Sequence, residues 1–160
     1  LPAIERSAAK CFAGHPDLTW ITDDTVMTVG QHKEGIRHGL VWVAEQNGKP
    51  VGFLAAQPFG HDLYIKEMAV AQPFQRQGIG SALLRFIQLN ARQNGFQTLT
   101  LTTFRDVPWN APFYMRQGFH IVTEPAPYLC RLLDEEEKRG LKREMRVAML
   151  MPLTFSSSDI

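Results

Sequence analysis

The chain has 160 residues, with 17 Lys+Arg against 16 Asp+Glu and so a formal net charge of +1. Hydrophobic residues at 44% and charged residues at 21% are the proportions of a globular chain, which excludes disorder and fibrous repeats, and the length suits one domain with an adequate core. So small a net charge leaves no global field for gripping nucleic acid or an anionic membrane, and any charged ligand must be held by a local device.

In chain order, Ile4, Ala8, Cys11 and Phe12 follow the i, i+4, i+7, i+8 spacing of one face of an amphipathic helix, which Gly14-His15-Pro16-Asp17 breaks. Residues 18–39 carry a weak mixed signal, read as a short helix and a loop. Two apolar runs, Leu40–Ala44 and Val51–Ala55, flank Asn47-Gly48 and predict a hairpin, because both turn residues tolerate positive φ. Gly60-His61-Asp62 ends the second run, and Leu63–Val70 is the next strand. A helix is expected from about Gly78 to Asn94, with Ile79, Leu83, Phe86 and Ile87 on one face and Gly95 at its end. Thr98–Phe104 is β-branched and alternating, hence a strand. A short helix at Ala111–Gln117, a strand at Phe119–Thr123, a helix at Tyr128–Arg139 and a strand at Arg146–Met151 complete an α/β domain with a mixed sheet.

Cys11 and Cys130 lie outside any CxxC or Cys/His ligand spacing, so neither a disulfide framework nor a metal site is expected, and a reducing cytoplasmic setting is. The five histidines are scattered. No apolar run approaches the ~18–20 residues that span a bilayer, and no basic-then-apolar leader is present. The chain opens at Leu1-Pro2, without an initiator Met, and enters a helical pattern at once. Between Arg131 and Arg146, six basic and five acidic residues at helical spacing, such as Glu135 with Arg139, read as a solvated face. Met145, Met149 and Met151 alternate along the last strand and read as core.

The segment after Val70 is the most informative. Ala71-Gln72-Pro73-Phe74-Gln75-Arg76-Gln77 leads into Gly78-Ile79-Gly80-Ser81 at the start of a helix. First-turn amides lack intrahelical partners and carry the positive end of the dipole, so an anion is welcome there. Gly78 and Gly80 let a pyrophosphate approach the backbone without a Cβ in the way, and Arg76 adds a charge. GxxxxGK[ST] is absent, and Leu83 stands where a dinucleotide fingerprint needs its third glycine. By themselves these residues leave two readings open, a phosphate cradle and a tight loop that merely feeds a helix.

Gln75-Arg76-Gln77-Gly78-Ile79-Gly80 resembles the Q/R-x-x-G-x-G/A motif of the GNAT-type N-acetyltransferases. The strand end Met68-Ala69-Val70 before it and Ser81-Ala82-Leu83-Leu84 after it fit the same pattern. About thirty residues on, Asn110-Ala111-Pro112-Phe113-Tyr114-Met115-Arg116-Gln117-Gly118-Phe119 resembles the family's second mark. The resemblance covers roughly Leu40 to Met151. It implies a mixed, mostly antiparallel central sheet, flanked by helices and splayed between the strands at about 63–70 and 98–104. It further implies one acetyltransferase domain over residues 1–155, with 156–160 as a frayed tail, and an opening strand ahead of the first helix that this sequence lacks.

The family's cosubstrate is acetyl-CoA, with no metal. By this resemblance, the pyrophosphate sits on the amides of Arg76 to Ser81, with Gln75 in the same motif. The pantetheine arm pairs like an added strand with Met68, Ala69 and Val70. Attack by an amine on the thioester develops an oxyanion, for which a backbone N–H near Met68 is the implied donor. Tyr114 matches the general acid that protonates the leaving thiolate; its alternative is a core tyrosine. Reference pKa values of about 10 for phenol and about 8.5 for thiol make that transfer feasible. Asn110 is expected to cap the short helix and to touch the cofactor arm.

The amine must lose a proton. Glu67 is the carboxylate nearest the expected thioester position, but strand alternation puts it opposite Met68, and a surface ion pair is its other reading. His61 and Asp62 could relay a proton through water. Asp17, Asp23, Asp24, Asp62 and Asp106, with Trp20 and Trp109, suggest a pocket for a cationic amine. The expected reaction is direct acetyl transfer in a ternary complex to a primary amine, a small molecule preferred over a peptide, by a monomer or homodimer. A non-catalytic acyl-CoA-binding domain is the rival, with no nucleic-acid or membrane partner in either case.

Overall fold

The structure is a computed structural model and describes residues 1–9, 33, 34, 37 and 40–153. The elements in chain order are helix α1 (Pro2–Ala9), strands β1 (Val41–Gln46), β2 (Lys49–Phe59) and β3 (Asp62–Val70), helix α2 (Ile79–Gln93), strand β4 (Thr98–Phe104), helix α3 (Ala111–Arg116), strand β5 (His120–Val122), helix α4 (Pro127–Lys138) and strand β6 (Arg146–Pro152). Short 3-10 turns at Gln72–Phe74 and Arg143–Met145 precede α2 and β6. The strands form one six-stranded sheet in the order β1-β2-β3-β4-β6-β5.

The pairing is mostly antiparallel, with one exception. β3 and β4 run parallel, in register at Asp62↔Thr98, Leu63↔Leu99 and Tyr64↔Thr100, and both continue beyond that register, β3 to Val70 and β4 to Phe104. A mixed, mostly antiparallel sheet flanked by helices is the architecture expected. Chain contacts divide the protein into two compact units, Leu1–Ala56 with Lys66–Phe86, and Gln57–Ile65 with Ile87–Ile160.

In the first unit, Asn47 and Gly48 adopt φ of 53° and 77°, the conformation a tight hairpin turn demands, and set β1 against β2. The register skips Val51 between Ala44↔Gly52 and Glu45↔Pro50, a bulge, and the Val51 carbonyl accepts the Ala71 N–H at 2.8 Å just past the end of β3. Ile4 of α1 packs into a cluster with Phe53, Ala55 and Ala69, bordered by Ala8 and Val41. The predicted helical face thus holds at Ile4 and Ala8, while Cys11 and Phe12 lie outside the described residues. So do the breaker at residues 14–17, the segment 18–32 and the terminal Ser156–Ser158.

In the second unit, β4 pairs with β6 along its whole length and β5 pairs with β6. Leu129 and Leu133 of α4 are buried with Tyr64 and Ala148, and Met149 and Met151 lie in the core as expected. Met145 belongs to the preceding 3-10 turn, so only two of the three methionines are strand residues. Two other expectations need correction. The buried stripe of α2 is Leu83, Leu84, Ile87 and Ala91, whereas Phe86 is 53% exposed, because the stripe follows i, i+1, i+4, i+8 and leaves Phe86 outside it. The charged run 131–146 is not wholly solvated, for Glu136 is buried and pairs with Arg146 at 3.1 Å, both side chains only 10% exposed.

Among the described residues no helix is long and apolar enough to cross a membrane. Cys130 is an exposed free thiol.

Candidate active site

Strand β3 delivers Met68, Ala69 and Val70 to the loop, with Ala69 buried and its two neighbours half-buried. The chain then turns through a compact sequence of bonds. The Phe74 and Gln75 N–H groups donate to the carbonyls of Ala71 and Gln72, at 2.8 and 3.3 Å. The Gln75 side chain donates from Nε2 to the Val70 carbonyl at 3.0 Å, and Gln77 from Nε2 to the Pro73 carbonyl at 3.4 Å. Gln75 and Gln77 therefore shape the loop from within, their side-chain amides spent on its own backbone. Ser7 of α1 accepts the Gln72 N–H at 2.8 Å, bracing the same loop from outside.

Arg76 takes φ of 64° and Gly78 φ of 83°. A left-handed arginine costs on the order of 1 kcal/mol, which concentrates backbone strain at the expected anion site. The ladder of α2 begins with the Ala82 N–H to the Gly78 carbonyl at 3.0 Å. The amides ahead of that bond lie at the positive end of the helix. A Cβ placed on Gly78 meets no atom within 4 Å, so the space over the loop is open to a ligand. Residues 75–81 therefore fit a pyrophosphate: exposed Arg76, Gln77 and Gly78, with half-buried Ile79, Gly80 and Ser81. Leu83, at the third-glycine position of a dinucleotide fingerprint, is a buried core residue.

One contributor went unread in the sequence. A Cβ on Gly52 of β2 would lie 3.1 Å from the Ala69 carbonyl oxygen, 3.3 Å from Val70 Cγ2 and 3.4 Å from Ile79 Cγ2. The bare backbone at Gly52 lets the strand end and the helix start on either side of the loop pack closely. A glycine inside an apolar strand was the available signal.

In the second unit, α3 carries Tyr114. The Tyr114 N–H donates to the Asn110 carbonyl at 3.0 Å, and the Tyr114 carbonyl accepts the Phe119 N–H at 3.0 Å. The Gly118 N–H donates to the Met115 carbonyl at 3.1 Å with Gly118 at φ 107°. This left-handed closure folds Phe119 back onto the helix, where its ring meets Tyr114 edge-on at 5.6 Å; Phe113 does the same at 5.2 Å. The spacing Tyr114…Gly118-Phe119 is thus a device for gripping a half-buried tyrosine from two sides.

Asn110 occupies the N-cap position of α3, but its side chain makes no capping hydrogen bond, contrary to expectation. Its Oδ1 instead accepts the Thr103 hydroxyl at 2.7 Å. Glu67 is half-buried on β3, between exposed Lys66 and half-buried Met68. Strand alternation turns Glu67 and Met68 to opposite faces.

The carboxylates offered for a cationic pocket are differently employed. Asp62 accepts the Tyr128 hydroxyl at 2.8 Å, and exposed Asp106 pairs with Arg105 at 3.2 Å. Trp109 is 41% exposed. Asp17, Trp20, Asp23 and Asp24 lie outside the described residues.

Threonines 100, 102 and 103, read only as strand formers, all use their hydroxyls. Thr100 bonds Tyr128 at 2.8 Å, and Thr102 donates to Glu136 and also bonds Tyr64 at 3.2 Å. Thr103, on the opposite face, bonds Asn110. No group of three His, Cys, Asp or Glu with metal-binding geometry occurs among the described residues.

Residues 37–121, over half of the chain, match the family described as acetyltransferase (GNAT) domain, and the chain belongs to that family. It is 32% identical over 108 residues to human N-acetyltransferase 8, a match covering 64% of this chain and 47% of that protein. It is 33% identical over 81 residues to the peptidyl-lysine N-acetyltransferase YiaC of Escherichia coli K12, covering 51% of this chain and 50% of that one. The chain spans about half or less of the length of such relatives. Its fold matches that of the PaiA N-acetyltransferase of Thermoplasma acidophilum, solved with coenzyme A, with a TM-score of 0.67 at 15% identity over 93% of this chain and 88% of that chain.

Proposed function

We propose that this domain transfers the acetyl group of acetyl-CoA to a primary amine by direct attack in a ternary complex. The observation that carries the reading is the loop at 75–81, where Arg76 and Gly78 are left-handed just ahead of α2 and a Cβ on Gly78 would meet no atom within 4 Å. Acetyl-CoA would supply the acetyl group as a thioester. The amides of residues 76–81 would hold its pyrophosphate, and the backbone of Met68, Ala69 and Val70 its pantetheine arm.

Tyr114 would give its phenolic proton to the departing sulfur as the C–S bond breaks and the C–N bond forms. The proton on the incoming amine would pass to water, or to Glu67 through water, since an alkylammonium of pKa about 10.4 arrives charged near neutrality. One relative bears the name of a peptidyl-lysine acetyltransferase, which supports testing lysine peptides beside small amines as acceptors. A reducing, cytoplasmic setting would keep the exposed Cys130 a thiol.

The test is release of free thiol from acetyl-CoA with a panel of polyamines, amino sugars and lysine peptides. Tyr114→Phe is expected to lower kcat at least 100-fold, with the KM for acetyl-CoA changed less than about threefold. Tight CoA binding without turnover on any amine would favour a non-catalytic acyl-CoA-binding domain. Turnover unaffected by Tyr114→Phe would remove the acid assignment alone.

A further inference from the structure

Where the loop leaves β3, its backbone N–H groups find partners in different places. The Phe74 N–H goes to the Ala71 carbonyl and the Gln75 N–H to the Gln72 carbonyl, while Pro73 has none to place. The Ala71 N–H is held by the Val51 carbonyl of β2 at 2.8 Å. That leaves the Gln72 N–H, for which the methyl side chain of Ala71 offers no acceptor. Ser7 of α1 supplies one from 65 residues away, at 2.8 Å. A backbone N–H only donates, so the Ser7 oxygen is the acceptor and the sense of the bond is fixed.

The packing of α1 sets this contact. Ile4 and Ala8 join the apolar cluster against which Ala71 also packs, and Ser7, three residues after Ile4, lies on the same side of the helix. For α1 itself an alanine would serve better at this position, since it is the stronger helix former. Two successive N–H groups at the entry of the loop are thus fastened to two separate elements, β2 and α1. A few residues on, Arg76 and Gly78 hold φ of 64° and 83°. An arginine in that region persists only where its surroundings impose the conformation. All of these residues belong to the first compact unit.

We propose that Ser7 is a positioning residue for the cosubstrate: its hydroxyl oxygen, by holding the Gln72 N–H, keeps the ligand-free loop in the conformation that receives the pyrophosphate. The inference rests on the acetyl-CoA reading above and adds to it, because it makes α1, which lies outside both motifs, part of the binding apparatus. Without the bond the loop samples conformations that do not bind, and the apparent affinity falls in proportion to the fraction still competent. A hydrogen bond of ordinary net strength sets that factor at roughly three- to tenfold.

Ser7→Ala deletes the acceptor from a helix that favours alanine, so the fold is retained, and Ser7→Thr keeps a hydroxyl. For Ser7→Ala, the Kd for CoA and the KM for acetyl-CoA are expected to rise roughly three- to tenfold, with a smaller CoA-induced rise in Tm. The change in kcat should stay below about twofold, since the bond acts on binding. Hydrogen exchange at the Gln72 amide of the ligand-free protein should quicken in Ser7→Ala. Ser7→Thr should match wild type within about twofold in each measurement.

Ser7→Ala binding CoA as wild type does would overturn the inference, and so would a loss that Ser7→Thr shares. If Ser7→Ala lowers the Tm of the ligand-free and the CoA-bound protein equally, the serine supports the fold alone and the inference fails. A wild-type protein that does not bind CoA overturns the acetyl-CoA reading and this inference together. Wild-type binding with Ser7→Ala unaffected overturns this inference only.

Discussion

At the scale of single residues, backbone conformation explains the local signature better than side-chain chemistry. Gly118 is required because its φ of 107° closes α3 and returns Phe119 to the Tyr114 ring. Gly118→Ala is therefore expected to destabilise the protein by about 1–2 kcal/mol, a fall of several degrees in Tm. It should also lower kcat more than the KM for acetyl-CoA, because the tyrosine loses one wall of its grip; steady-state kinetics beside a thermal melt checks both. The role of Gly118-Phe119 was legible in the sequence as a motif. The use of Asn110 was not: its residue type announces a cap, and only the neighbouring strand shows that Thr103 has claimed its oxygen.

At the scale of elements, close approach and buried polarity do the positioning. Gly52→Ala would push a Cβ to 3.1 Å from the Ala69 carbonyl, a backbone atom with little room to yield. A loss of about 1–3 kcal/mol is expected. The CoA-induced rise in Tm should shrink with it, since Val70 and Ile79 frame the loop; paired melts with and without CoA test the two effects.

In the second unit, α4 is fastened by polar contacts as well as by leucines. Tyr128 stacks on Phe59 at 4.3 Å, accepts from Thr100 and donates to Asp62. Burial, the largest cause, pushes the Tyr128 phenol well above its usual range; the Thr100 hydroxyl opposes it, and the bond to Asp62 with the nearby Asp62 charge adds to the rise. The native state therefore keeps this proton at a pH where the unfolded chain, with its tyrosine near 10, gives it up. Its contribution to stability is whole below about pH 10 and declines as the pH rises further. Urea midpoints at pH 9 and 11 should fall more steeply for wild type than for Tyr128→Phe; parallel slopes would contradict this coupling. Glu135 and Arg139 fit the solvated face that helical spacing suggests, being exposed, but Glu136 between them is buried against Arg146 and Thr102. Spacing alone does not distinguish the inward member of a charged run, because that depends on which strand residue faces it.

For the molecule as a whole, a net charge of +1 means that an anionic cosubstrate gains little from long-range attraction. Backbone amides and one arginine would hold the pyrophosphate at short range, where screening acts weakly. Raising NaCl from 50 to 500 mM is expected to weaken CoA binding no more than about fivefold, and Arg76→Gln to remove most of that dependence. A steep salt dependence surviving in Arg76→Gln would point to other cations around the ligand.

The sequence by itself determined the order and nearly the limits of the described elements, together with the two motifs that mark the family. Periodicity, turn glycines and helix starts are local properties, written over a few adjacent residues. Tertiary structure decided what local patterns do not encode. It placed Gly52 against Ala69 and Ile79, turned Phe86 outward, buried Glu136, and took Asn110 from its helix to serve Thr103. Each of these depends on which distant backbone or hydroxyl arrives opposite a given residue, and that is settled only when strands and helices pack. With a net charge of +1, the proposed anion site would rest on left-handed Arg76 and Gly78 and on the start of α2, not on a long-range field.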